Sequence, residues 1–241
     1  MDIEIELSKL AHLSKAKILQ GFFKTGKGQY GEGDVFWGIT VPQCRSVAKC
    51  FPNLSFAEIQ QLLNSKVHEK RLVALLILVQ RYQAAEKKED SELQEKVFQF
   101  YIKNLPRVNN WDLVDLTASN IVGKHLFGKD NAMLYRLAKS KNLWARRVAI
   151  VSTFAFIRNG QFQPTLKIVE LLLGDTHDLI HKACGWMLRE VGKKDQAAEE
   201  AFLEKHYANM PRTMLRYAIE RFSEEKRRHY LHKSIRLSNC Q

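Results

Sequence analysis

Arg146-Arg147-Val148-Ala149-Ile150 begins an apolar helical pattern, and His181-Lys182-Ala183-Cys184-Gly185 repeats that pattern 35 residues later. A third copy, Arg216-Tyr217-Ala218-Ile219, lies 34 residues after the corresponding lysine. Counting back 35 residues from the first copy leads to Trp111, and Arg71-Leu72-Val73-Ala74-Leu75 carries the pattern at a looser spacing. Self-similarity with a period of about 34 to 40 residues is typical of solenoids built from helix pairs.

Local sequence signals also favour helices along the whole chain. Ser55 and Glu58 form a capping box, and Pro42 stands where first-turn prolines are common. Strand-like alternation is nearly absent, and about a dozen helices with short connections are expected. The one long irregular stretch is the glycine-rich segment from Lys24 to Thr40. Because no tetratricopeptide signature is present, the sequence predicts an all-α, HEAT-like α-solenoid. Its paired antiparallel helices would form a concave superhelix in one domain over residues 1–241.

The net charge indicates what kind of partner the protein binds. The 241 residues include 38 Lys and Arg against 26 Asp and Glu, which gives a net charge of +12. A positive surplus of this size favours a polyanionic partner, most often nucleic acid, although some basic proteins bind nothing anionic. The length is sufficient for a buried core.

Cysteine usage and hydropathy predict the compartment. Cys44, Cys50, Cys184 and Cys240 show neither CxxC spacing nor matching histidines, which indicates free thiols in a reducing compartment. The acidic N-terminal stretch does not resemble a signal peptide, and the longest apolar run, Leu72 to Val79, is too short to span a membrane. We therefore expect a soluble, cytoplasmic protein without a membrane partner, nucleoid-associated in a bacterium. Since nothing marks an oligomer interface, a monomer is expected.

Equivalent positions of successive repeats are expected to form one stripe along a solenoid surface. From Asn131 to Val169 there are seven Lys or Arg and no Asp or Glu, whereas a solvated helix face usually mixes both signs. This acid-free span is the best sequence-level candidate for binding phosphates. The polar and aromatic members of the stripe are Trp111, Asp112, Asp115, Arg146, Arg147, Lys182, Trp186, Arg212 and Arg216.

Trp111 and Asp115 lie four residues apart and would face the same side of a helix. An aromatic face beside a carboxylate can stabilise a positively charged intermediate. Alternatively, the tryptophan packs in the core, as most helical tryptophans do, and Trp186 taken alone has the same interpretation. Asp112 fits a helix-start or ion-pair residue. Asp115 lies deeper in its helix. It is expected to have either an interaction partner or a functional role, because unpaired carboxylates are rarely buried.

Other motifs carry less chemistry. Gly26-Lys27-Gly28-Gln29-Tyr30-Gly31 spells GxGxxG but follows a predicted helix, so a flexible loop beside DNA is preferred to a dinucleotide site. His68, His177 and His181 lack an evident cysteine or carboxylate partner, and His68 is expected to begin a helix. The Arg146-Arg147 pair fits either phosphate binding or a salt bridge to a neighbouring repeat. We expect no metal site and no cofactor.

Several of these stretches together resemble the signatures of the bacterial AlkD-type DNA alkylation repair family. They are Trp111-Asp112-Leu113-Val114-Asp115, Leu143 to Ile150, Lys182 to Glu190, and Phe36-Trp37-Gly38-Ile39 with Pro42 and Arg45. The resemblance covers nearly the whole chain in the right order. It implies a HEAT-like glycosylase for N3- and N7-alkylated purines, whose positive charge already weakens the glycosidic bond. Members of this family hold duplex DNA in a concave basic cleft without drawing the damaged base into a tight pocket.

The resemblance also implies roles for individual residues. Asp115 matches the catalytic carboxylate, and Trp111 and Trp186 match aromatic residues that pack on the sugar-phosphate of the lesion. Arg147 matches the arginine beside them, and Tyr30 matches a lesion-side tyrosine. Loss of a cationic base leaves an oxocarbenium-like sugar that a carboxylate stabilises, and the charged leaving base needs no strong general acid. Phosphate contacts are expected from Arg146, Lys182, Arg212 and Arg216.

Two departures from the family pattern concern the substrate range. Asn110 precedes Trp111 where members often carry a second tryptophan, and Trp37 stands where a smaller apolar residue is common. The main hypothesis is a monofunctional alkylpurine DNA glycosylase that acts on double-stranded DNA. The alternative is a non-catalytic HEAT-like scaffold that binds nucleic acid or an acidic protein, in which the tryptophan and the aspartate only pack.

Overall fold

The computed structural model describes residues 2–238, with side chains described as far as Leu231. Every named element in that range is helical, and its strand-like pairing is limited to an isolated parallel bridge between Val35 and Val67. The predicted all-α class is therefore confirmed. The chain divides into two compact units, Met1–Ile121 and Val122–Gln241, here called the N-terminal and C-terminal units. The prediction of a single domain stays a prediction.

The N-terminal unit consists of helices that begin where the sequence signals expect them. Ser55 and Glu58 form the predicted capping box, and Pro42 lies in the first turn of its helix. His68 is the first residue of the longest helix, as predicted. The helices are α1 (Ile3–Lys9), α2 (Leu13–Phe22), α3 (Val41–Cys50), α4 (Phe56–Leu63), α5 (His68–Lys87), α6 (Ser91–Lys103) and α7 (Trp111–Asp115), with a 3₁₀ turn at Leu105–Arg107.

Helix α5 is the centre of the N-terminal unit. Every residue from Leu72 to Val79 is buried, because α3, α4 and α6 pack around this helix. A helix that is apolar on all sides is stable only when neighbours cover it. The apolar run noted in the sequence therefore forms the core of the N-terminal unit. None of the helices described is long and apolar enough to cross a membrane.

The C-terminal unit contains the helices of the sequence repeat. A π-helical turn, Ser119–Gly123, precedes the first of them. The helices are α8 (Lys124–Leu126), α9 (Ala132–Ala138), α10 (Leu143–Ser152), α11 (Phe154–Arg158), α12 (Gln163–Leu171), α13 (Asp178–Gly192), α14 (Gln196–His206), α15 (Arg212–Ala218) and α16 (Glu224–Ser238), with 3₁₀ turns at Tyr207–Asn209 and Ile219–Arg221.

The three copies of the sequence repeat form helices α10, α13 and α15, and successive copies pack on each other. Helix α10 packs on α13 and α13 packs on α15, while α9, α12 and α14 cover their flanks. A β-carbon at Gly185 would collide with the carbonyl oxygen of Met214 and the side chain of Tyr217, so α13 and α15 approach as closely as glycine permits. This row of repeated helices is the packing of an α-solenoid-like fold.

The thiols of the described residues are free, as predicted. Cys44 and Cys184 are buried, and Cys50 is exposed. Burial and the nearby charges of Glu69 and Asp112 raise the pKa of the Cys44 thiol to about 12. Burial also raises the pKa of the Cys184 thiol. Cys240 lies outside the described residues.

Candidate functional site

Helix α7 carries the tryptophan and aspartate that the sequence singled out. The buried Asn110 caps this five-residue helix, because its Oδ1 accepts a hydrogen bond from the Trp111 N–H at 2.9 Å. Trp111 begins the helix and Asp115 ends it, and both side chains are half-buried. Since residues four apart share a helix face, the indole ring and the carboxylate both leave the same side of α7. The two residues keep part of their surface accessible, which a purely internal pair would not.

The environment of Asp115 includes a buried phenol. The Tyr101 hydroxyl and the Thr117 hydroxyl are 2.9 Å apart. Burial raises the pKa of Tyr101; the hydrogen bond to Thr117 lowers it in part, and the negative charge of Asp115 raises it further. Tyr101 therefore stays a neutral phenol near the carboxylate. The negative charge of Asp115 acts on buried groups as well as towards the surface.

Trp111 is supported from below by aromatic rings. Its ring is stacked on Phe23, with centroids 5.0 Å apart and an interplanar angle of 7°. Phe36 stacks on Phe23 at 4.8 Å, so three rings form one pile. Phe22, which is 61% exposed, meets Trp111 edge-on at 5.8 Å. One face of Trp111 thus packs in the core, as the alternative interpretation expected, while the residue remains only partly buried.

A buried polar network lies directly behind α7. His68 Nε2 is 2.8 Å from Asp112 Oδ2, and His68 Nδ1 is 3.5 Å from Asp34 Oδ2. Arg71 forms an ion pair with the same Asp34 oxygen at 2.7 Å, and the Asn110 amide donates to it at 3.5 Å. The expectation that His68 has no carboxylate partner is therefore wrong. Its partners lie 34 and 44 residues away in sequence, which no local pattern reveals.

Charge interactions set the protonation of this network. Burial lowers the pKa of His68, but the charge and hydrogen bonds of Asp112 and the hydrogen bond of Asp34 raise it by more, so the net shift is upward. Burial raises the pKa of Asp34, but the His68 hydrogen bond and the Arg71 guanidinium lower it by more. The network is consequently a set of mutually compensated charges inside the unit.

The glycine-rich segment is ordered by another buried carboxylate. Glu69 Oε1 accepts hydrogen bonds from the backbone N–H groups of Trp37, Gly38 and Ile39 at 3.0, 2.8 and 3.2 Å. Gly38 has φ +81°, a conformation that residues with a side chain rarely adopt. The Tyr30 hydroxyl donates to the Phe22 carbonyl at 3.5 Å, which places this residue next to the aromatic pile. Among the described residues, the GxGxxG motif is not part of a βαβ unit, so the dinucleotide-binding interpretation lacks its structural context.

The stretch from the end of α1 through α2 and the following loop adds positive charge that the sequence analysis overlooked. From Leu7 to Gly31 there are five lysines and no acidic residue. All five are exposed, and the signal was visible in the sequence as a second acid-free span. Exposed Ile18 and Phe22 rim a cleft of about 330 Å³ whose floor includes His68 and Asp112. The lysines are Lys9, Lys15, Lys17, Lys24 and Lys27.

Two of the predicted arginines of the C-terminal unit are bound to protein groups. Arg146 donates to Asp175 at 2.6 Å and to the carbonyl oxygens of Ser140 and Lys141, both at 3.0 Å. Arg147 is only 5% exposed and donates to the Leu179 carbonyl. These contacts match the alternative of an ion pair between neighbouring repeats. They leave phosphate contacts by Arg146 and a lesion-side role for Arg147 as predictions.

The remaining predicted residues of the C-terminal unit differ in accessibility. Lys182 forms an ion pair with Asp178 at 2.7 Å, and Arg212 donates to the Leu231 carbonyl at 2.8 Å. Arg216 is exposed on α15. Half-buried Trp186 donates its indole N–H to Glu190 at 3.1 Å.

Trp186 also has an aromatic neighbour, Phe154. The Trp186 ring lies 5.9 Å from that of Phe154, and the Arg158 guanidinium lies over Phe154 at 4.1 Å. The structure thus groups Trp111, Asp115 and Tyr30 in the N-terminal unit and the other predicted residues in the C-terminal unit. The described residues contain no cluster of His, Cys, Asp and Glu with the geometry of a metal site.

Comparison with known proteins places the chain in a class. A family model described as "DNA alkylation repair enzyme" matches residues 3–222, so the protein belongs to the DNA alkylation repair enzyme family. This confirms the resemblance noted in the sequence, and membership supports a role in the repair of alkylated DNA. No curated protein matches this sequence.

A solved structure supports the same fold. The chain is similar to a predicted DNA alkylation repair enzyme from Enterococcus faecalis, with a TM-score of 0.64 and 18% sequence identity. The similarity covers 88% of this chain and 96% of that one. At this level of identity the similarity establishes the fold alone.

Proposed function

We propose that this protein is a monofunctional DNA glycosylase that hydrolyses the N-glycosidic bond of cationic N3- and N7-alkylated purines in duplex DNA. The observation that carries the proposal is the pairing on α7 of a half-buried indole and a half-buried carboxylate, Trp111 and Asp115. The proposal includes action as a monomer, in the cytoplasm or on the nucleoid, without a metal or a cofactor.

Asp115 supplies the negative charge that this reaction needs. As the alkylated base departs, positive charge develops on the deoxyribose, and a fixed carboxylate stabilises that charge electrostatically. The same carboxylate can orient or deprotonate the attacking water. Because the leaving base is already cationic, no second carboxyl group is required as a general acid. One catalytic carboxylate is therefore enough.

Trp111 and the aromatic rings beneath it supply a rigid, electron-rich surface. The pile of Trp111, Phe23 and Phe36 fixes the orientation of the indole from below. The face of an aromatic ring attracts positive charge through its quadrupole. A supported ring can pack against the sugar of the lesion without losing side-chain entropy on binding. By motif, Trp186 and Arg147 have matching roles in the C-terminal unit.

Exposed cations on both units suit the phosphates of a duplex. In the N-terminal unit these are the five exposed lysines from Lys9 to Lys27, of which Lys15 lines the same cleft as Phe22. In the C-terminal unit, exposed Arg216 is the best placed of the predicted contacts. The Lys182 ammonium is 40% exposed beside Asp178 and can exchange that partner for a phosphate. Arg146 and Arg212 would have to keep their protein contacts while touching DNA.

The decisive experiment compares wild type with Asp115→Asn on methylated duplex DNA. The variant should fold and bind DNA normally, but single-turnover release of 7-methylguanine and 3-methyladenine should fall on the order of 100-fold or more. Asp90→Asn is the matched control, because Asp90 is an exposed helix cap and asparagine caps equally well. An unchanged release rate in the Asp115 variant would refute the mechanism.

The scaffold alternative makes a different prediction in the same assay. Its supporting observation is the packing of Trp111 on Phe23, which a structural role would also produce. A scaffold would bind duplex DNA with a steep salt dependence but release no base from methylated DNA. Wild-type protein that binds without releasing alkylated bases would therefore favour the scaffold.

A further inference from the structure

Helix α7 has only five residues, so its position depends on the groups that hold it rather than on its own stability. We propose that His68, held between Asp34 and Asp112, is a positioning residue that fixes α7 and thereby the direction of Trp111 and Asp115. The inference rests on the proposed function, in which those two residues meet the lesion. It concerns a buried group that does not itself touch DNA.

Hydrogen bonds provide the first connection between His68 and α7. His68 Nε2 meets Asp112 Oδ2 at 2.8 Å, while the other oxygen of Asp112 accepts the Leu113 N–H at 2.8 Å. Asp112 is thus held at both oxygens in the first turn of α7. Asn110, the helix cap, donates to Asp34, the second carboxylate beside His68. The first turn of α7 is therefore connected to His68 twice, directly through Asp112 and indirectly through Asn110 and Asp34.

Ring stacking provides the second connection. The His68 ring stacks on Phe36 with centroids 4.5 Å apart and an angle of 22°, and it lies 5.1 Å from Phe23. Phe36 and Phe23 are the rings that support Trp111. A shift of the imidazole would consequently displace the indole through the pile as well as Asp112 through its hydrogen bond.

The network is attached to α5, the buried central helix of the unit. His68 is the first residue of α5, the buried central helix, and its N–H donates to the Val35 carbonyl at 2.8 Å. Arg71, one turn later, binds Asp34 at 2.7 Å and the Ser65 carbonyl at 2.9 Å. These contacts therefore fix the position of α7 relative to α5. A displacement of about 1 Å at a catalytic group can lower the reaction rate on the order of 100-fold.

The protonation state of His68 decides how many carboxylates it can hold. An imidazolium donates from both nitrogens, and a neutral imidazole donates from only one. The charged groups facing the ring are Asp34 from the loop, Asp112 from α7 and Arg71 from α5, with Glu69 of α5 and the Cys44 thiol of α3 nearby. Because the carboxylates of Asp112 and Asp34 raise the pKa of His68, the doubly donating form persists to a higher pH than in a free imidazole and is lost as the pH rises further.

The test compares wild type with His68→Gln in two measurements. Glutamine is uncharged and can donate to only one of the two carboxylates at a time in this geometry. We expect base release from methylated duplex to fall about 10-fold or more at neutral pH, with little change in DNA affinity. The alkaline loss of activity in wild type should be absent from the variant. In ¹⁵N-labelled protein, the Trp111 indole resonance, assigned with Trp111→Phe, should titrate with His68 in wild type only.

Controls separate positioning from general damage and from failure of the proposed function. His206→Gln removes another histidine next to a carboxylate, Glu170 at 3.7 Å in the C-terminal unit, and should leave both measurements unchanged. If His68→Gln does not fold, Asp112→Asn replaces it, because asparagine keeps the size but loses the charge that holds the imidazolium.

The two proposals can fail independently. Wild-type protein that releases no alkylated base refutes the glycosylase function, yet the Trp111 indole resonance still decides the positioning role. An indole resonance and pH profile in the His68 variant that equal those of wild type would overturn the positioning role. A slower release that accompanies a displaced indole resonance supports it.

Discussion

Replacing Glu199 by glutamine should remove a large pH dependence from the stability of this protein. Glu199 lies on α14 and is 2% exposed, and its Oε1 has no hydrogen-bond partner among the described groups. Burial raises the pKa of this carboxyl from 4.5 to about 8; the charge of Glu200 adds to the rise and Arg189 opposes it. The folded protein therefore keeps a proton here that the unfolded chain releases.

The sign and size of the effect follow from this difference in proton binding. Between pH 4.5 and about 8 the folded state binds more protons at Glu199 than the unfolded state, so the free energy of unfolding falls as the pH rises. Each pH unit is equivalent to about 1.4 kcal/mol, which gives a total near 5 kcal/mol across this window. Glu199→Gln should match wild type near pH 4.5 and exceed it by up to about 5 kcal/mol above pH 8.

Urea unfolding at several pH values between 5 and 9 measures this directly. The difference between the unfolding free energies of wild type and Glu199→Gln should grow with pH and then level off. Glu92→Gln serves as the control, because its side chain is 79% exposed and forms a surface ion pair with Lys96. If the free energy of unfolding of wild type and of Glu199→Gln depended on pH in the same way, the reasoning that burial raises the pKa of this carboxyl would be refuted.

Substitutions at four further positions test the site and the repeat. Trp111→Phe should slow base release with little loss of stability, whereas Trp111→Ala should also lower the free energy of unfolding by roughly 2 kcal/mol, measured by urea titration, since the indole is partly buried against Phe23. Gly185→Ala should destabilise by about 1 to 3 kcal/mol because α13 and α15 must separate, seen as a lower urea midpoint. Arg216→Ala should lower the slope of log affinity against log salt by about 1 on any duplex. Arg146→Ala should instead cost about 2 kcal/mol of stability, because it leaves buried Asp175 without its cation.

The fold was predictable because its signals are local and repeated. The apolar pattern that begins at Arg146 recurs at the same spacing, and each copy became a helix packed on the next. Helix starts such as Ser55 with Glu58 depend on residues three positions apart, which a sequence displays directly. The irregular segment from Lys24 to Thr40 was also foreseen, although the bonds from Glu69 that order it were not.

The candidate site was only partly predictable because its polar contacts join distant segments. The pairing of Trp111 with Asp115 follows from helical spacing, so the sequence contained it. His68 meets Asp112 across 44 residues, and Arg146 meets Asp175 across 29, and neither pair has a local signature. Net charge indicated that cations were available but not which of them had protein partners. Exposed Arg216 and buried Arg147 look alike in the sequence.

Burial of the thiols has a consequence for survival under chemical stress. Methylating agents that create alkylated bases also attack cysteine, and they react with the thiolate form. Cys44, with a pKa of about 12, and Cys184, whose pKa is also raised, remain protonated and shielded from such electrophiles. Among the described cysteines, only exposed Cys50 offers its sulfur to the solvent. The two buried thiols should therefore stay unmodified under the alkylating conditions that damage DNA.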